Sequence, residues 1–219
     1  MARRTKEDAL ATRNSLLDAA ELLFQAQGVS STSLNDIARQ AGTTRGAIYW
    51  HFEDKADLFN AMMERVTLPF EQVFEDLARY GGDDPLEGIR HANRCALRLI
   101  ATDERTRRVF EVATHKVEYV DAFHAVRLRH VEVCREFLLQ MQIGLQRAAD
   151  SQKLVLPVSV ESAALGLHAL IDGLIQNWLL DTVFDLYAVS DRLIDVYLTG
   201  LGFRITPSTA SGTTAEKPD

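Results

Sequence analysis

Helical periodicity runs through almost the whole chain and leaves few folds open. Apolar residues recur three and four positions apart, as Leu16, Ala20 and Leu23 do, whereas no run alternates apolar and polar residues. The pattern predicts an all-α protein. Glycine, proline and capping signals between the periodic segments predict helices over about residues 8–27, 34–41, 44–52, 55–80, 85–101, 104–114, 118–150, 160–180 and 186–202.

Two adjoining segments near the N-terminus are unusually short. Ser33 is followed three residues later by Asp36, which is close to a capping box at a helix start. Gly42 then separates this helix from the next one. Two short helices joined by a tight glycine-containing turn are typical of a helix-turn-helix, the motif of many DNA-binding proteins.

The second short helix lies in TTRGAIYWHFEDK, where large aromatic residues follow a glycine. At about 100° per residue, Ile48 and Phe52 share one face, which we expect to be buried, and Gly46 and Trp50 point the other way. Glycine inside a helix costs about 1 kcal/mol relative to alanine, so an exposed one suggests close approach by another molecule. We expect that molecule to be DNA; packing of Tyr49 and Trp50 against the body of the protein is the alternative.

The polar groups of this helix suit DNA chemically. Arg45 can donate two hydrogen bonds to a guanine edge or one to a phosphate. Tyr49 and Thr44 can meet a thymine methyl or a phosphate, and the Trp50 N–H and His51 are candidate phosphate donors. Two further basic groups extend this surface: Lys55 at the next helix start, suited to a phosphate, and a basic arm of Arg3, Arg4 and Lys6 for a neighbouring groove.

Charge restricts any DNA-binding surface to a local patch. The net charge of −7 and the pI of about 5.4 lack the overall basic character of many nucleic-acid-binding proteins. Residues 1–60 hold seven Lys and Arg against eight Asp and Glu, whereas residues 61–219 hold 17 against 23. The N-terminal part is therefore much less acidic than the rest, without being basic.

Several other sites and locations are not expected. No stretch of about 18 uninterrupted apolar residues occurs, and no apolar run follows the basic N-terminus, so we expect a cytoplasmic protein without a membrane span. Cys95 and Cys134 are isolated and are expected to be buried, reduced thiols. His168 and Asp172 share a helix face but lack a third metal ligand, so no metal and no cofactor is predicted.

Residues 17–59, LDAAELLFQAQGVSSTSLNDIARQAGTTRGAIYWHFEDKADLF, resemble the TetR family of transcriptional regulators. The resemblance lies in a G-V-x-x-T-S turn, an I-A-x-x-A-G helix and a G-A-I-Y-x-H-F recognition helix. The TRGAIYWHF segment with the arm MARRTKE is similar to the AcrR/TtgR subgroup, which represses multidrug efflux genes. Residues 103–120 and 171–180 match that subgroup more thinly.

This resemblance implies about nine helices in a defined domain order. An N-terminal arm and helix-turn-helix domain would occupy residues 1–53, and a ligand-binding and dimerisation domain residues 54–204. The polar tail 205–219, with its Pro and Gly, is predicted to be disordered. The last two helices would pair with a second copy as a four-helix bundle, and apolar residues spread around 160–178 favour the same pairing. Such a homodimer would place two recognition helices about 34–36 Å apart on a palindromic operator.

The resemblance also assigns site residues. The DNA contacts, taken with those argued above, are Arg3, Arg4, Lys6, Ser33, Thr44, Arg45, Gly46, Ala47, Tyr49, Trp50, His51 and Lys55. The predicted pocket, apolar with a few polar anchors, contains Met62, Val66, Ile89, Asn93, Phe110, Thr114, Phe137, Met141, His168, Ile171, Asp172 and Gln176. A buried Asp172 would attract cationic or hydrogen-bonding drugs, and a structural hydrogen bond to a neighbouring helix is the alternative.

The implied function is a ligand-responsive repressor of a multidrug efflux operon, released from its DNA by small hydrophobic or cationic ligands. Two alternatives stay open: a regulator of this type, repressor or activator, with a different target, and a helical protein-interaction module. An enzyme is not expected, because the sequence lacks G-x-S-x-G, a P-loop, a dinucleotide fingerprint and a metal-spaced cluster. A DNA-bound regulator would be cytoplasmic and associated with the nucleoid.

Overall fold

A computed structural model describes residues 6–80, 84–118 and 123–205, apart from the side chains of 69–80. This part of the chain contains nine α-helices and no strand, so the all-α prediction is confirmed. The helices are α1 (Lys6–Gln27), α2 (Leu34–Gln40), α3 (Arg45–His51), α4 (Lys55–Tyr80), α5 (Pro85–Thr102), α6 (Glu104–His115), α7 (His124–Gln152), α8 (Val160–Leu180) and α9 (Leu186–Gly200).

Local signals explain why most helices begin and end near the predicted residues. The side chains of Ser33, Asp103 and Ser159 each accept a hydrogen bond from a backbone N–H of the first turn, as N-caps do. Gly28 and Gly42, with φ of 84° and 66°, adopt the left-handed backbone that ends α1 and α2. Because these effects act within four residues, they can be predicted from the sequence alone.

Three predictions about boundaries need correction, and two more stay open. The helix expected from residue 118 begins at His124, and Glu118 lies outside it. The last helix ends at Gly200 and not at 202, because Gly202 has a φ of 96° and cannot continue a right-handed helix. Lys6, expected in the basic arm before the first helix, is the first residue of α1. The other arm residues, Arg3 and Arg4, and the predicted tail from residue 206 lie outside the described residues.

Two apolar cores organise the helices. The N-terminal core joins α1, α2 and α3 to the first half of α4 and to one side of α6, with Phe24, Ile37 and Ile48 fully buried. The C-terminal core joins α5, α7, α8 and α9. Phe110 of α6 packs against both cores, so α6 lies at their junction. Because Met62 and other α4 residues complete the N-terminal core, the predicted domain boundary at 53/54 falls inside a packed unit; that boundary stays a prediction.

Helices α8 and α9 keep an apolar outer face. Leu165, Leu180 and Val196 are 57%, 69% and 66% exposed in the single chain. Among the described helices, α8 is the one whose length and apolarity would allow a membrane span, with a third of its apolar window buried. A core helix meets the same criterion, and α8 packs on α6, α7 and α9 along its other side. The outer face therefore lacks a partner within one chain.

One glycine permits the close packing of α8 on α9. The hydroxyl of Tyr197 donates a 2.9 Å hydrogen bond to the carbonyl of Ala163, and a Cβ on Gly166 would lie 2.3 Å from that hydroxyl oxygen. We expect Gly166→Ala to lower the free energy of unfolding by about 1–2 kcal/mol, because the tyrosine must move away. Urea denaturation measures this. Adding Tyr197→Phe should recover part of the loss; an additive double variant would show that the hydroxyl is not the obstacle.

Candidate nucleic-acid interface and ligand pocket

Capping side chains build the helix-turn-helix. The Ser33 hydroxyl accepts a hydrogen bond from the N–H of Asp36 at 3.1 Å, and the Asp36 carboxylate accepts from the N–H of Ser33 at 3.2 Å. The Ser33 hydroxyl also donates to the Asp36 carboxylate at 2.6 Å, and this hydrogen bond, followed by the one from the Ser33 N–H, lowers the pKa of Asp36. At the next helix, the Thr44 hydroxyl accepts from the N–H of Ala47 at 3.2 Å. Ser33 and Thr44, both predicted DNA contacts, therefore also hold the starts of α2 and α3.

The two faces of α3 differ as the helical wheel predicts. Ile48 and the C-cap residue Phe52 are buried in the N-terminal core, at 0% and 2% exposure. On the other side, Trp50 is 72% and Tyr49 49% exposed, so neither aromatic packs into the body of the protein. Thr44, Arg45 and Gly46 are exposed too, whereas Ala47 is half-buried. His51 is also half-buried, and its ring packs edge-on against that of Trp50, with the ring centroids 4.7 Å apart.

A groove of about 490 Å³ lies beside this exposed face. Arg45, Tyr49 and Lys55 line part of it. The rest of the lining is a mostly polar segment for which the sequence predicted no functional role, apart from Ser33; it comprises Ser30, Ser31, Thr32, Leu34 and Asn35. The hydroxyl-rich run SSTS before α2 was the available signal, since such groups often contact a DNA backbone. The start of α2 therefore lies beside the exposed face of α3.

Lys55 has acceptors that the sequence did not predict. Its ammonium donates to the carbonyls of Val29 at 2.7 Å and Thr32 at 2.9 Å, with that of Ser30 at 3.4 Å. Burial lowers the pKa of Lys55. Since an ammonium has three donors, this geometry favours a structural role over the predicted phosphate contact. Lys55 closes the loop between α1 and α2; the DNA contact stays a prediction.

Lys55→Met distinguishes the two roles. A structural role predicts a free energy of unfolding lower by about 1 kcal/mol, because loop carbonyls lose their donor. It also predicts an unchanged salt dependence of DNA binding. A phosphate contact predicts the reverse: little change in unfolding, and a log–log salt slope smaller by about one. Thermal unfolding and anisotropy titrations at several salt concentrations measure both quantities.

The predicted pocket residues divide between the two cores. Met62 and Val66 lie buried in the N-terminal core, and Met141 lies buried in the C-terminal core, with Ile89, Phe137 and Ile171 packed against it. Asn93 is buried and donates to the carbonyl of Ile89 at 2.8 Å. The rings of Phe137 and His168 approach to 5.9 Å across α7 and α8. Phe110, and with it the half-buried Thr114 one turn later, lies where the cores meet.

Asp172 differs from both of its predicted roles. Its carboxylate is exposed in the single chain and accepts a 2.6 Å hydrogen bond from Gln176, four residues later in α8. It is neither buried nor bonded to a neighbouring helix through this contact, because its position at about 120° from the buried α8 stripe turns it outward. Gln176 is exposed as well, and its backbone carbonyl lies 3.3 Å from Nε2 of His115. Whether either contacts a ligand stays a prediction.

The cysteines are free but only half-buried, which corrects the expectation of full burial. Each lies beside a histidine one turn earlier: Cys95 Sγ is 3.4 Å from His91 Nε2, and Cys134 Sγ is 3.6 Å from His130 Nε2. Burial raises the pKa of Cys134, and the charge of Asp172 acts in the same direction. Within the described residues, no group of three or more His, Cys, Asp or Glu side chains is arranged to hold a metal ion.

Comparison with known proteins agrees with this geometry. Residues 16–62 match the model of the bacterial regulatory proteins, tetR family, and residues 84–203 match that of the MAATS-type transcriptional repressor, C-terminal region. The regulator AcrR of Shigella flexneri is 39% identical over 180 residues, covering 82% of this chain and 83% of AcrR. The regulator TtgR of Pseudomonas putida is 36% identical over 214 residues, covering 95% and 99%.

Two solved structures are similar throughout. NalD, the secondary repressor of the MexAB-OprM multidrug efflux pump in Pseudomonas aeruginosa, is 37% identical, with a TM-score of 0.81 over 90% of this chain and 98% of NalD. SmeT, the repressor of the Stenotrophomonas maltophilia multidrug efflux pump SmeDEF, has been solved with triclosan. That complex is 30% identical, with a TM-score of 0.79 over 95% of this chain and 98% of SmeT.

A capped helix-turn-helix with an exposed recognition helix, joined to a separate helical body, defines a DNA-binding transcriptional regulator. The two matching models place that motif and that body in the order this chain has them. The chain belongs to the TetR family.

Proposed function

We propose that this protein is a ligand-responsive repressor that binds a palindromic operator as a homodimer and controls a multidrug efflux operon. The exposed, glycine-containing face of α3 carries the proposal, because it presents Arg45, Tyr49 and Trp50 to solvent on a rigid helix-turn-helix. The efflux target is supported by NalD and SmeT, which repress efflux pumps and resemble this chain over nine-tenths of its length. Such a repressor acts in the cytoplasm, on the nucleoid.

The outer face of α8 and α9 supports the dimer. Its exposed apolar residues, among them Leu165, Leu180 and Val196, would be covered by the same face of a second copy. A two-fold pair of this kind is isologous, so each contact occurs twice. Two recognition helices would then face the same side of DNA, about 34–36 Å apart. The operator would therefore consist of two inverted half-sites.

Ligand binding would occur where the two cores meet, around Phe110. The triclosan complex of SmeT supports a small, largely apolar ligand for this kind of body. Phe137, Met141 and His168 would supply an apolar and aromatic lining with one polar ring. Ligands with a hydrophobic ring and a hydrogen-bonding group suit this lining, and cationic ligands would depend on the exposed carboxylate of Asp172.

The ligand acts on DNA binding only if it binds the two conformations of the protein with different affinities. A ligand that favours the conformation with displaced recognition helices weakens operator binding by the ratio of those affinities. Coupling free energies of about 1–3 kcal/mol are typical, which corresponds to roughly 5- to 150-fold. The same factor must weaken ligand binding when operator is present.

The test is fluorescence anisotropy with the duplex upstream of the protein's own gene, compared with a scrambled duplex, with and without triclosan. Tight, sequence-dependent binding that triclosan weakens by about fivefold or more would support a specific, ligand-responsive repressor. Specific binding that triclosan and other drug-like ligands leave unchanged would contradict the ligand response. Equal binding to both duplexes would contradict control of a neighbouring operon and favour a different target.

A further inference from the structure

A buried carboxylate on α1 meets arginines from two other helices. Glu21 is 1% exposed, and its Oε1 accepts a hydrogen bond from Arg65 of α4. Its Oε2 lies 3.5 Å from Nε of Arg105 and 3.6 Å from Nη1 of Arg108, both on α6. Asp18, one turn earlier on α1, accepts from Arg65 at 2.7 Å and from Arg105 at 2.9 Å. We call these five residues the ionic joint.

The ionic joint lies between the DNA-binding domain and the body. Helix α1 packs on α2 and α3 on one side and directly on α6 on another, α6 also packs on α5 and α8, and α4 contacts α1, α5 and α6. Arg105 and Arg108 occupy the side of α6 that faces α1, and Phe110 is directed toward the junction with the C-terminal core. Any rotation or shift of α1 relative to α6 must therefore change the distances within the ionic joint.

Because Glu21 is buried, its carboxylate requires positively charged partners at close range. Loss of water raises the pKa of Glu21, and the hydrogen bond and charge of Arg65 act in the opposite direction. A buried carboxylate without partners is strongly unfavourable, so the protein must keep the three guanidinium groups close to Glu21. Guanidinium groups donate in a fixed plane and therefore select one arrangement. Apolar contacts in the same core, such as those of Leu17 and Val109, are non-directional and tolerate sliding.

Further polar contacts join α1 and the loop after it to α6 and its C-cap residue. Gln25 of α1 donates to Glu111 of α6 at 2.8 Å, and the N–H of Val29 donates to the carbonyl of Lys116 at 3.0 Å. Gln25 and Glu111 are half-buried, so water can replace their contact more readily than those of Glu21, and the Val29 contact is a neutral backbone hydrogen bond that carries no charge. The position of α1 along α6 is thus set most sharply at Glu21.

We propose that Glu21 is a positioning residue for operator binding, which holds the recognition helix at the angle that fits one half-site spacing. This rests on the proposed function as a dimeric operator-binding repressor. The ionic joint contributes no group to the DNA; it fixes α1, and α3 follows because both belong to the N-terminal core. With the ionic joint weakened, the two recognition helices sample a wider range of separations and orientations.

The test compares wild-type protein with Glu21→Gln on three duplexes: an operator selected by the wild-type protein from a random pool, the same operator with two base pairs inserted between its half-sites, and a single half-site. The insertion turns one half-site by roughly 70°, since about 10–10.5 base pairs make one turn. We expect it to weaken wild-type binding about 30-fold or more and Glu21→Gln binding about threefold. Half-site affinity should agree within about twofold, which a generally damaged fold would not allow.

Variants on α6 provide the matched controls. Arg105→Gln and Arg108→Gln remove partners of Glu21 and should also reduce the penalty of the insertion. Arg107→Gln removes the same charge from the same helix, but Arg107 is exposed and belongs to no ion pair among the described residues, so it should behave as wild type. If circular dichroism shows that Glu21→Gln is unfolded, these three variants carry the comparison.

Two results would overturn the inference. One is an insertion penalty in Glu21→Gln, Arg105→Gln and Arg108→Gln equal to that of wild type. The other is an insertion penalty that falls as much in Arg107→Gln as in Arg105→Gln and Arg108→Gln, because overall charge would then be the cause. Failure of the proposed function is separable, because wild-type protein would then select no duplex from the pool at all, and the inference would fall with it.

Discussion

Gly46→Ala should give a protein that is more stable than wild type and yet binds its operator about tenfold or more weakly. In the free protein, an added Cβ would meet only the Thr44 hydroxyl oxygen, at an ordinary 3.9 Å. Alanine is favoured over glycine inside a helix by about 1 kcal/mol. A glycine at an open, exposed position of α3 is therefore unfavourable for the free protein, and close approach of a DNA backbone accounts for it. Thermal unfolding without DNA and anisotropy with operator measure the two opposite effects.

Gly200→Ala is the control for the added methyl group. Gly200 is the last residue of α9, one turn after Val196 on the outer face, and within one chain an added Cβ would meet open space. The control is therefore measured on a single half-site, which needs no dimer contact, and its affinity there should stay within about twofold of wild type. If Gly46→Ala also left affinity unchanged, no part of the DNA would approach the backbone of α3 closely. The role argued for its exposed face would then be limited to its longer side chains.

The helix-turn-helix was predictable because its signals are local. Capping by Ser33 and the left-handed glycine Gly42 act within a few residues, and the wheel of α3 needs only the helical repeat to separate Ile48 from Trp50. The same kind of reasoning gave the exposed apolar face of α8. Each of these features follows from one helix or one turn, without knowledge of what packs against it.

Features that depend on tertiary pairing were not predictable. The α6 arginines of the ionic joint lie more than 80 residues from Glu21, and nothing in the periodicity says which charges meet. Lys55 looked available for DNA because its acceptors are backbone carbonyls of a loop, which carry no sequence signature. Asp172 looked like a buried anchor because its motif, and not its orientation on α8, suggested a role. A helical repeat identifies faces, but a neighbouring helix decides which face is covered.

Arg45→Ala should lower operator affinity by about 1–3 kcal/mol and change affinity for random duplex little, so that discrimination between the two is largely lost. Arg45 is exposed at the start of α3 and lines the groove beside it. Its guanidinium carbon lies 5.7 Å from the centre of the Tyr49 ring, a cation–π contact that orients the donors before DNA arrives. Parallel anisotropy titrations with operator and random duplex measure the loss. Arg39→Ala removes a similarly exposed charge from α2, and it should weaken both duplexes by the same small factor.

Arg45→Lys separates base recognition from phosphate contact, because it keeps the charge and removes the planar fork of donors. If Arg45 reads a guanine edge through two hydrogen bonds, the lysine variant should lose nearly as much operator affinity as the alanine variant. If Arg45 contacts only a phosphate, lysine should restore most of the affinity on both operator and random DNA. The second result would assign sequence recognition to Tyr49, Thr44 and the polar segment 30–35 that lines the groove. The first would make Arg45, held by Tyr49, the principal base-reading residue of α3.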